Sequence, residues 1–254
     1  MRLIVGGDSA IGKRLAEYWR ERGVSFLSTT RQEEKLSENQ RYLCLEAGVW
    51  DTVFNLEFDF VVICAGITKI AECQENLDRS RLINVTNTIR FLEQIRQKTR
   101  RILFLSSNQV FDGSRPYCRP NDSPCPTSEY GRQKLEVERY ALNFDESAVL
   151  RLTKVVHDDW DLLKRWRQQL INGQFIRAFT NVNIAPLPIE NVIKTVDALA
   201  TSGANGIHHL SGDVDVSYFS YAQTVADRLG CSRCLVQKAR SELGEIPRFT
   251  TLSA

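Results

Sequence analysis

The feature that most constrains this chain is an alternation. Short, β-rich apolar runs are separated by segments whose apolar residues recur at helical spacing, beginning at residue 3. The runs cover residues 3–5, 24–28, 42–45, 60–65, 102–106 and 148–152. Between the first two, Ile11, Leu15 and Trp19 share one helical face, Lys13, Glu17 and Arg20 fall elsewhere, and Gly23 ends the segment. Val85, Ile89, Leu92 and Ile95 repeat the pattern over 84–98, and a third helix starts near Glu129. Strands this short and apolar, joined by helices, belong to a parallel sheet covered on both faces. The fold class is a doubly wound, Rossmann-type α/β sheet.

After Val156 the alternation loosens. Helices are expected over 160–172, 189–201 and 217–229, with a short strand at 207–210 and a polar stretch at 174–188. Ser217 is placed to cap the last helix. The expected division is a nucleotide-binding and catalytic unit, residues 1–156, and a small substrate-binding cap, residues 157–254. Segments of the two are free to interleave, and the cap is too broken to build a sheet core of its own.

Charge narrows the partners. Thirty-three basic and 31 acidic side chains leave a net charge of +2, which argues against a nucleic-acid or anionic-membrane footprint. No apolar run approaches the roughly 20 residues of a membrane span. The chain enters a strand and a glycine turn at once, leaving no room for a signal peptide, so a cytoplasmic location is expected. Seven scattered cysteines are then expected as free thiols. Cys231-Ser-Arg-Cys234 has metal-like spacing, but no second pair or nearby histidine completes a tetrahedral set, and no metal site is expected.

The segment Gly6-Gly7-Asp8-Ser9-Ala10-Ile11-Gly12 joins the first strand to the first helix, where a dinucleotide fingerprint belongs. Small residues there let the backbone of Gly6, Ser9, Ala10, Ile11 and Gly12 approach a pyrophosphate at the positive end of the helix. Serine replaces the middle glycine of a G-x-x-G-x-x-G pattern, and its hydroxyl could donate to phosphate. The second strand ends at Ser28-Thr29-Thr30-Arg31. A cofactor with an unmodified ribose usually meets an acid at this point, whereas a guanidinium suits a 2′-phosphate. Arg31 therefore favours NADP(H), with NAD(H) also possible; Glu33 and Glu34 lie nearby.

Ligands bind at the carboxyl ends of strands in such a sheet. The fifth strand ends in Ser106-Ser107, and 23 residues beyond Ser107 comes Tyr130-Gly131-Arg132-Gln133-Lys134 at the start of a helix. Spacing of i, i+4 puts phenol and ammonium on one helical face. A phenol titrates near pH 10 unless a cation steadies its anion, and Lys134 could supply that field. Ser107 could hydrogen-bond a substrate oxygen.

These stretches together resemble an extended short-chain dehydrogenase/reductase, more narrowly the dTDP-4-dehydrorhamnose reductase branch. The resemblance spans nearly the whole chain. It rests on residues 6–12, Cys64-Ala65-Gly66, 84–88, Ser106-Ser107-Asn108-Gln109-Val110-Phe111-Asp112-Gly113, Pro116-Tyr117 and 126–138. It continues through 186–192, 216–219 and 247–252. It implies that Ser107, Tyr130 and Lys134 are catalytic, that Tyr130 and Lys134 also touch the cofactor, and that Ala65 and Gly66 line its site. Asn84 would be a helper residue or a helix N-cap. The implied reaction is hydride transfer to a ketone of a nucleotide-activated 4-keto-6-deoxy sugar, with Tyr130 as proton donor. A homodimer through the helices near 84–98 and 129–143 is implied as well.

The chain departs from the branch in places. Ser107-Asn108-Gln109 stands where the reductases tend to show Thr-Asp-Tyr, and Arg119 where they tend to place Glu. The lack of an Asp-Glu pair beside Ser107 argues against a 4,6-dehydratase. Two rivals stay open: a sugar-nucleotide epimerase using the same trio, and a non-catalytic NAD(P)-binding regulatory subunit, since a subunit of methionine adenosyltransferase resembles this branch. Among the remaining residues, one of His208-His209 must face inward as a core histidine. Lys154 and His157 could meet a diphosphate or be solvated loop residues. Trp160, Trp166 and Phe175 could line a pocket or pack helices. Lys164-Arg165-Trp166-Arg167 reads as an exposed helix face with one buried tryptophan.

Overall fold

The six apolar runs and the short strand at 207–210 give one parallel sheet in the computed structural model, which describes residues 1–242 and 247–253. Its strands are β1 (Arg2–Val5), β2 (Phe26–Thr30), β3 (Gln40–Tyr42), β4 (Phe60–Ile63), β5 (Ile102–Ser107) and β6 (Ser147–Leu152), with a seventh from later in the chain. Four short strands intervene: β7 (Lys154–Val156), β8 (Ile176–Phe179), β9 (Asn183–Ile184) and β10 (Pro186–Pro188). The seventh sheet strand is then β11 (Gly206–Leu210), followed by β12 (Val216–Ser217) and β13 (Val236–Ala239). The sheet order is β11-β6-β5-β4-β1-β2-β3, and every neighbouring pair is parallel. Strand order reverses between β1 and β4, so a crevice opens beyond their carboxyl ends.

Helices cover both faces, which is why the strands are apolar at successive positions. On β1, Ile4 packs with Leu15, Trp19, Val192 and Val196, under α1 (Ala10–Glu21) and α7 (Ile189–Ser202). Its neighbours Leu3 and Val5 turn to the opposite face, with Phe91, Leu92 and Val137. That face carries α4 (Asn87–Ile95) and α5 (Glu129–Ala141). Two short helices, α2 (Ile70–Glu75) and α3 (Leu77–Arg81), lead into α4 through a wide π-helical turn at Leu82–Thr86.

Several boundaries differ from the expected ones. The second strand begins two residues late because Val24 is still held by the preceding helix, its amide donating to the Trp19 carbonyl at 3.0 Å. The third ends at Tyr42, and Leu43 and Leu45 are buried beyond it. The helix read over 84–98 is interrupted at its start by the π turn.

The cap expectation changes most. Residues 189–210 return to the large sheet: β11 pairs with β6, and α7 lies against α1. Residues 161–179 and 217–239 form a small layered unit of their own. Strands β8 and β13 pair in parallel beneath α6 (Asp161–Ile171) and α8 (Tyr218–Arg228). Leu163, Trp166, Leu170, Ile176, Val225 and Val236 make its apolar centre, so the cap does build a sheet core. No helix among the described residues is long and apolar enough to cross a membrane.

Candidate active site

The glycine turn lies across the end of β2. The Gly6 amide donates to the Thr29 hydroxyl at 2.9 Å and the Gly7 amide to the Thr29 carbonyl at 2.8 Å. Gly6 adopts φ +91°, and a Cβ on it would sit 2.6 Å from the Ala65 nitrogen. A Cβ on Gly12 would sit 2.3 Å from the Gly6 carbonyl oxygen. Both positions therefore require glycine. Ser9 takes a role other than the expected one. Its hydroxyl donates to the Gly6 carbonyl at 2.8 Å and accepts from the Gly12 amide at 3.0 Å. It is the N-cap of α1, already engaged in both directions, rather than a phosphate donor.

The amides of Ala10 and Ile11 are left without a partner among the described residues. They mark the positive end of a 12-residue helix at the crevice mouth. Gly6, Ser9, Arg31, Ala65 and Gly66 line the same cleft, which encloses about 390 Å³. Two orphan amides at a helix N-terminus, in a turn too tight for side chains, fit the pyrophosphate of a dinucleotide. Arg31 is exposed on the rim. An unforeseen carboxylate stands beside it: Asp8 accepts from the Thr30 hydroxyl and the Arg31 amide, each at 3.0 Å.

Ser107, Tyr130 and Lys134 come together at the carboxyl end of β5. Tyr130 and Lys134 open α5, whose N-cap is Ser128, its hydroxyl accepting from the Gly131 amide at 3.1 Å. Burial pushes the Tyr130 phenol well above its ordinary pKa, and hydrogen bonding with Ser107 opposes that shift. Lys134 is also buried. Its Nζ donates to the Leu105 carbonyl at 2.9 Å and stands 5.9 Å from the Tyr130 ring centre. Desolvation pushes its pKa down to about 8, with Glu138 partly compensating. Cys64 links the trio to the nucleotide cleft, since it lines the cleft and feels the charge of Lys134. Burial pushes its thiol up to about 12, so it is no nucleophile near neutral pH.

Two residues near this trio, Gly131 and Gln133, escaped the sequence reading, and Asn84 takes a place of its own. Gly131 lets α5 press onto the turn after β5, where a Cβ would lie 2.0 Å from the Gln109 carbonyl oxygen. Gln133 and Asn84 form a polar brace. The Asn84 amide group accepts from the Ile67 nitrogen at 2.7 Å, and it donates to the Ile67 carbonyl at 2.9 Å and to Gln133 at 2.8 Å. Asn84 therefore sits in the π turn and caps no helix; it ties the loop after β4 to α5. Only the wide turn, invisible in composition, points to this.

Below the trio lies a buried charge network. Arg151 and Glu138 are each 1% exposed and pair at 2.7 Å, while Ser106 donates to Glu138. His209 is the inward member of its pair, facing Arg151 at 3.4 Å and held by the carbonyls of Ser253 and Cys118. Desolvation and Arg151 push it down to about 4. The tail is tied here too: Asn108 donates to the Thr250 carbonyl at 3.1 Å, and Asp215 accepts from both threonine hydroxyls, Thr250 at 2.6 Å and Thr251 at 2.7 Å. Asn108 thus anchors the tail at the position where the reductases tend to carry acid.

Lys154 is in β7, not a solvated loop, and its Nζ lies 4.5 Å from the Trp160 ring centre. Burial alone lowers its pKa. His157 is likewise lowered, chiefly by burial. Trp160 and Trp166 pack against Tyr218 inside the cap, whereas Phe175 is exposed. All seven cysteines are free thiols, Cys231 and Cys234 included.

A family model described as the RmlD substrate binding domain matches residues 1–247. A probable low-salt glycan biosynthesis reductase from Haloferax volcanii is 23% identical over 247 residues, covering 93% of this chain and 82% of that protein. Methionine adenosyltransferase 2 subunit beta from Xenopus laevis is 23% identical over 264 residues, covering 97% and 77%. Among solved structures, MoeE5 in complex with UDP-glucose and NAD superposes with a TM-score of 0.85 at 19% identity, covering 98% of this chain and 88% of that one. A dTDP-4-dehydrorhamnose reductase from Bacillus anthracis in complex with NADP gives 0.83 at 16%, covering 99% and 88%. Both structures share the fold.

Proposed function

The chain belongs to the RmlD substrate binding domain family, of the extended short-chain dehydrogenase/reductase type, and on that premise we propose that it reduces a ketone on a nucleotide-activated sugar, a 4-keto-6-deoxy sugar in particular. The observation that carries this reading is the meeting of Ser107, Tyr130 and Lys134 beside a cleft with dinucleotide chemistry.

The amides of Ala10 and Ile11 would hold the pyrophosphate of a nicotinamide dinucleotide, whose chemistry would be hydride donation to the ketone carbon. Tyr130 supplies the proton to its oxygen, and a phenol held protonated by burial is in the state that reduction needs. Ser107 hydrogen-bonds the same oxygen and orients it. Lys134, fixed by the Leu105 carbonyl, places a cation beside the phenolate left after proton transfer. Arg31 supports NADP(H) as the preferred cofactor, and Asp8 supports NAD(H). The free thiols fit a reducing compartment such as the cytoplasm.

The test is NADPH and NADH oxidation across a panel of nucleotide-linked 4-keto sugars, with Tyr130→Phe as control. Turnover of one panel member, lost in Tyr130→Phe, supports the reading; turnover surviving in that variant sinks the mechanism. Cofactor binding with no substrate oxidising it moves the regulatory-subunit reading to first place. A homodimer through α4 and α5 belongs to the same proposal. The exposed faces there carry Arg90, Glu93, Arg132, Glu136 and Arg139, while the large exposed apolar side chains among the described residues lie elsewhere. Such a dimer would be polar, and light scattering at low and high salt would show it dissociating as salt rises.

A further inference from the structure

We propose that Asp8, in the glycine turn, is a specificity-determining residue that admits an unmodified ribose and opposes a 2′-phosphate. This rests on reading the cleft as a nicotinamide-dinucleotide site and goes on to its choice of cofactor. In sheets of this kind the choice is made at the end of β2, where an acid accepts from the ribose hydroxyl. Here β2 itself ends in Thr29 and Thr30, with Arg31 next, and offers no acid.

The fold supplies one from another segment. Hydrogen bonds from Gly6 and Gly7 press the turn onto Thr29, and a Cβ on Gly7 would stand 2.9 Å from the Thr29 carbonyl oxygen. The residue that follows is thereby delivered to the strand tip. Both Asp8 oxygens lie 3.0 Å from the Thr30 hydroxyl, and one lies 3.0 Å from the Arg31 amide. These are two donors, both neutral, and a carboxylate has about four lone-pair sites. Asp8 thus keeps acceptor capacity, makes no ion pair among the described residues, and lines the cleft that Arg31 also lines.

A ribose hydroxyl can donate to that capacity. A 2′-phosphate would instead bring close to two negative charges beside a third. Arg31 acts in the opposite sense, so the two side chains form a balanced selector. The wild-type chain should therefore bind NADH and NADPH with dissociation constants within about tenfold of each other.

The experiment is calorimetric titration of NADH and NADPH into the wild-type chain, Asp8→Asn, Asp8→Ser and Arg31→Gln, each checked for folding by thermal unfolding. Either Asp8 variant should shift the affinity ratio toward NADPH by about tenfold or more, and Arg31→Gln should shift it toward NADH. An unchanged ratio in a folded Asp8 variant overturns the proposal. So does a wild-type preference for NADPH beyond about a hundredfold, which needs no variant at all. Failure of the wild type to bind either cofactor would instead remove the dinucleotide reading beneath it.

Discussion

The glycine turn and the cap solve opposite problems. In the turn, and at the start of α5 beside it, backbone meets backbone: Gly6 against Ala65, Gly12 against Gly6, and Gly131 against Gln109. Such contacts leave no room for a methyl group. In the cap, side chains do the packing, around Trp166, Leu163 and Val236, with aromatic neighbours Trp160, Tyr218 and Tyr221. The first region fixes the floor of the cleft and the start of α5 through contacts that admit only glycine. The second is held by side chains, which can change while the fold is kept.

Gly131→Ala should break that contrast most sharply. The added methyl falls 2.0 Å from the Gln109 carbonyl, so α5 must shift and carry Tyr130 with it. We expect kcat/KM to drop about a thousandfold, the worth of a lost general acid, while cofactor affinity changes little. Next in size is Trp166→Ala, which should cost about 3–5 kcal/mol, felt in the cap. Hydrogen exchange should show α6 and α8 opening, with NAD(P)H affinity unmoved. If β1 and α1 lost protection equally, the two regions would be one cooperative unit and the contrast would fail.

Glu138→Gln sharpens the comparison from beneath the trio, because it leaves Arg151 charged and buried. About 3–5 kcal/mol of stability should go, read from denaturant midpoints at constant slope. The smallest effect is in pH. Lys134 is charged below about 8 and loses its proton above it, so reduction should decline as pH rises through that value. In Lys134→Arg the charge persists at all accessible pH, and that limb of kcat/KM should vanish whatever the absolute rate.

How far these features could be read in advance follows from their range. The strand–turn–helix opening was legible because Leu3, Ile4 and Val5 precede a glycine cluster and a clean 3.6-residue apolar repeat. Ser107, Tyr130 and Lys134 were legible as a strand end followed by an i, i+4 pair, with the family resemblance supplying their roles. Asp8 was not, since its position depends on how the turn lies on β2, some 22 residues away. Gly131 hid because its partner is a carbonyl, which has no sequence signature. The strand at 207–210 was legible as β11, but its place at the edge of the large sheet was not, since that depends on β6, which it borders through His208 and Leu150. The cap sheet escaped because β8 alternates buried and exposed residues over only four positions.

The proposed reduction requires Tyr130 and a nicotinamide to act together on a sugar ketone. The most direct test is to turn over a nucleotide-linked 4-keto sugar with NADPH or NADH carrying deuterium at both C4 positions of the nicotinamide and to analyse the product by mass spectrometry. The expected product gains one deuterium at the former ketone carbon with the wild-type chain, and Tyr130→Phe gives no reduced product. A reduced sugar without the label, or labelled product from Tyr130→Phe at the wild-type rate, would contradict it.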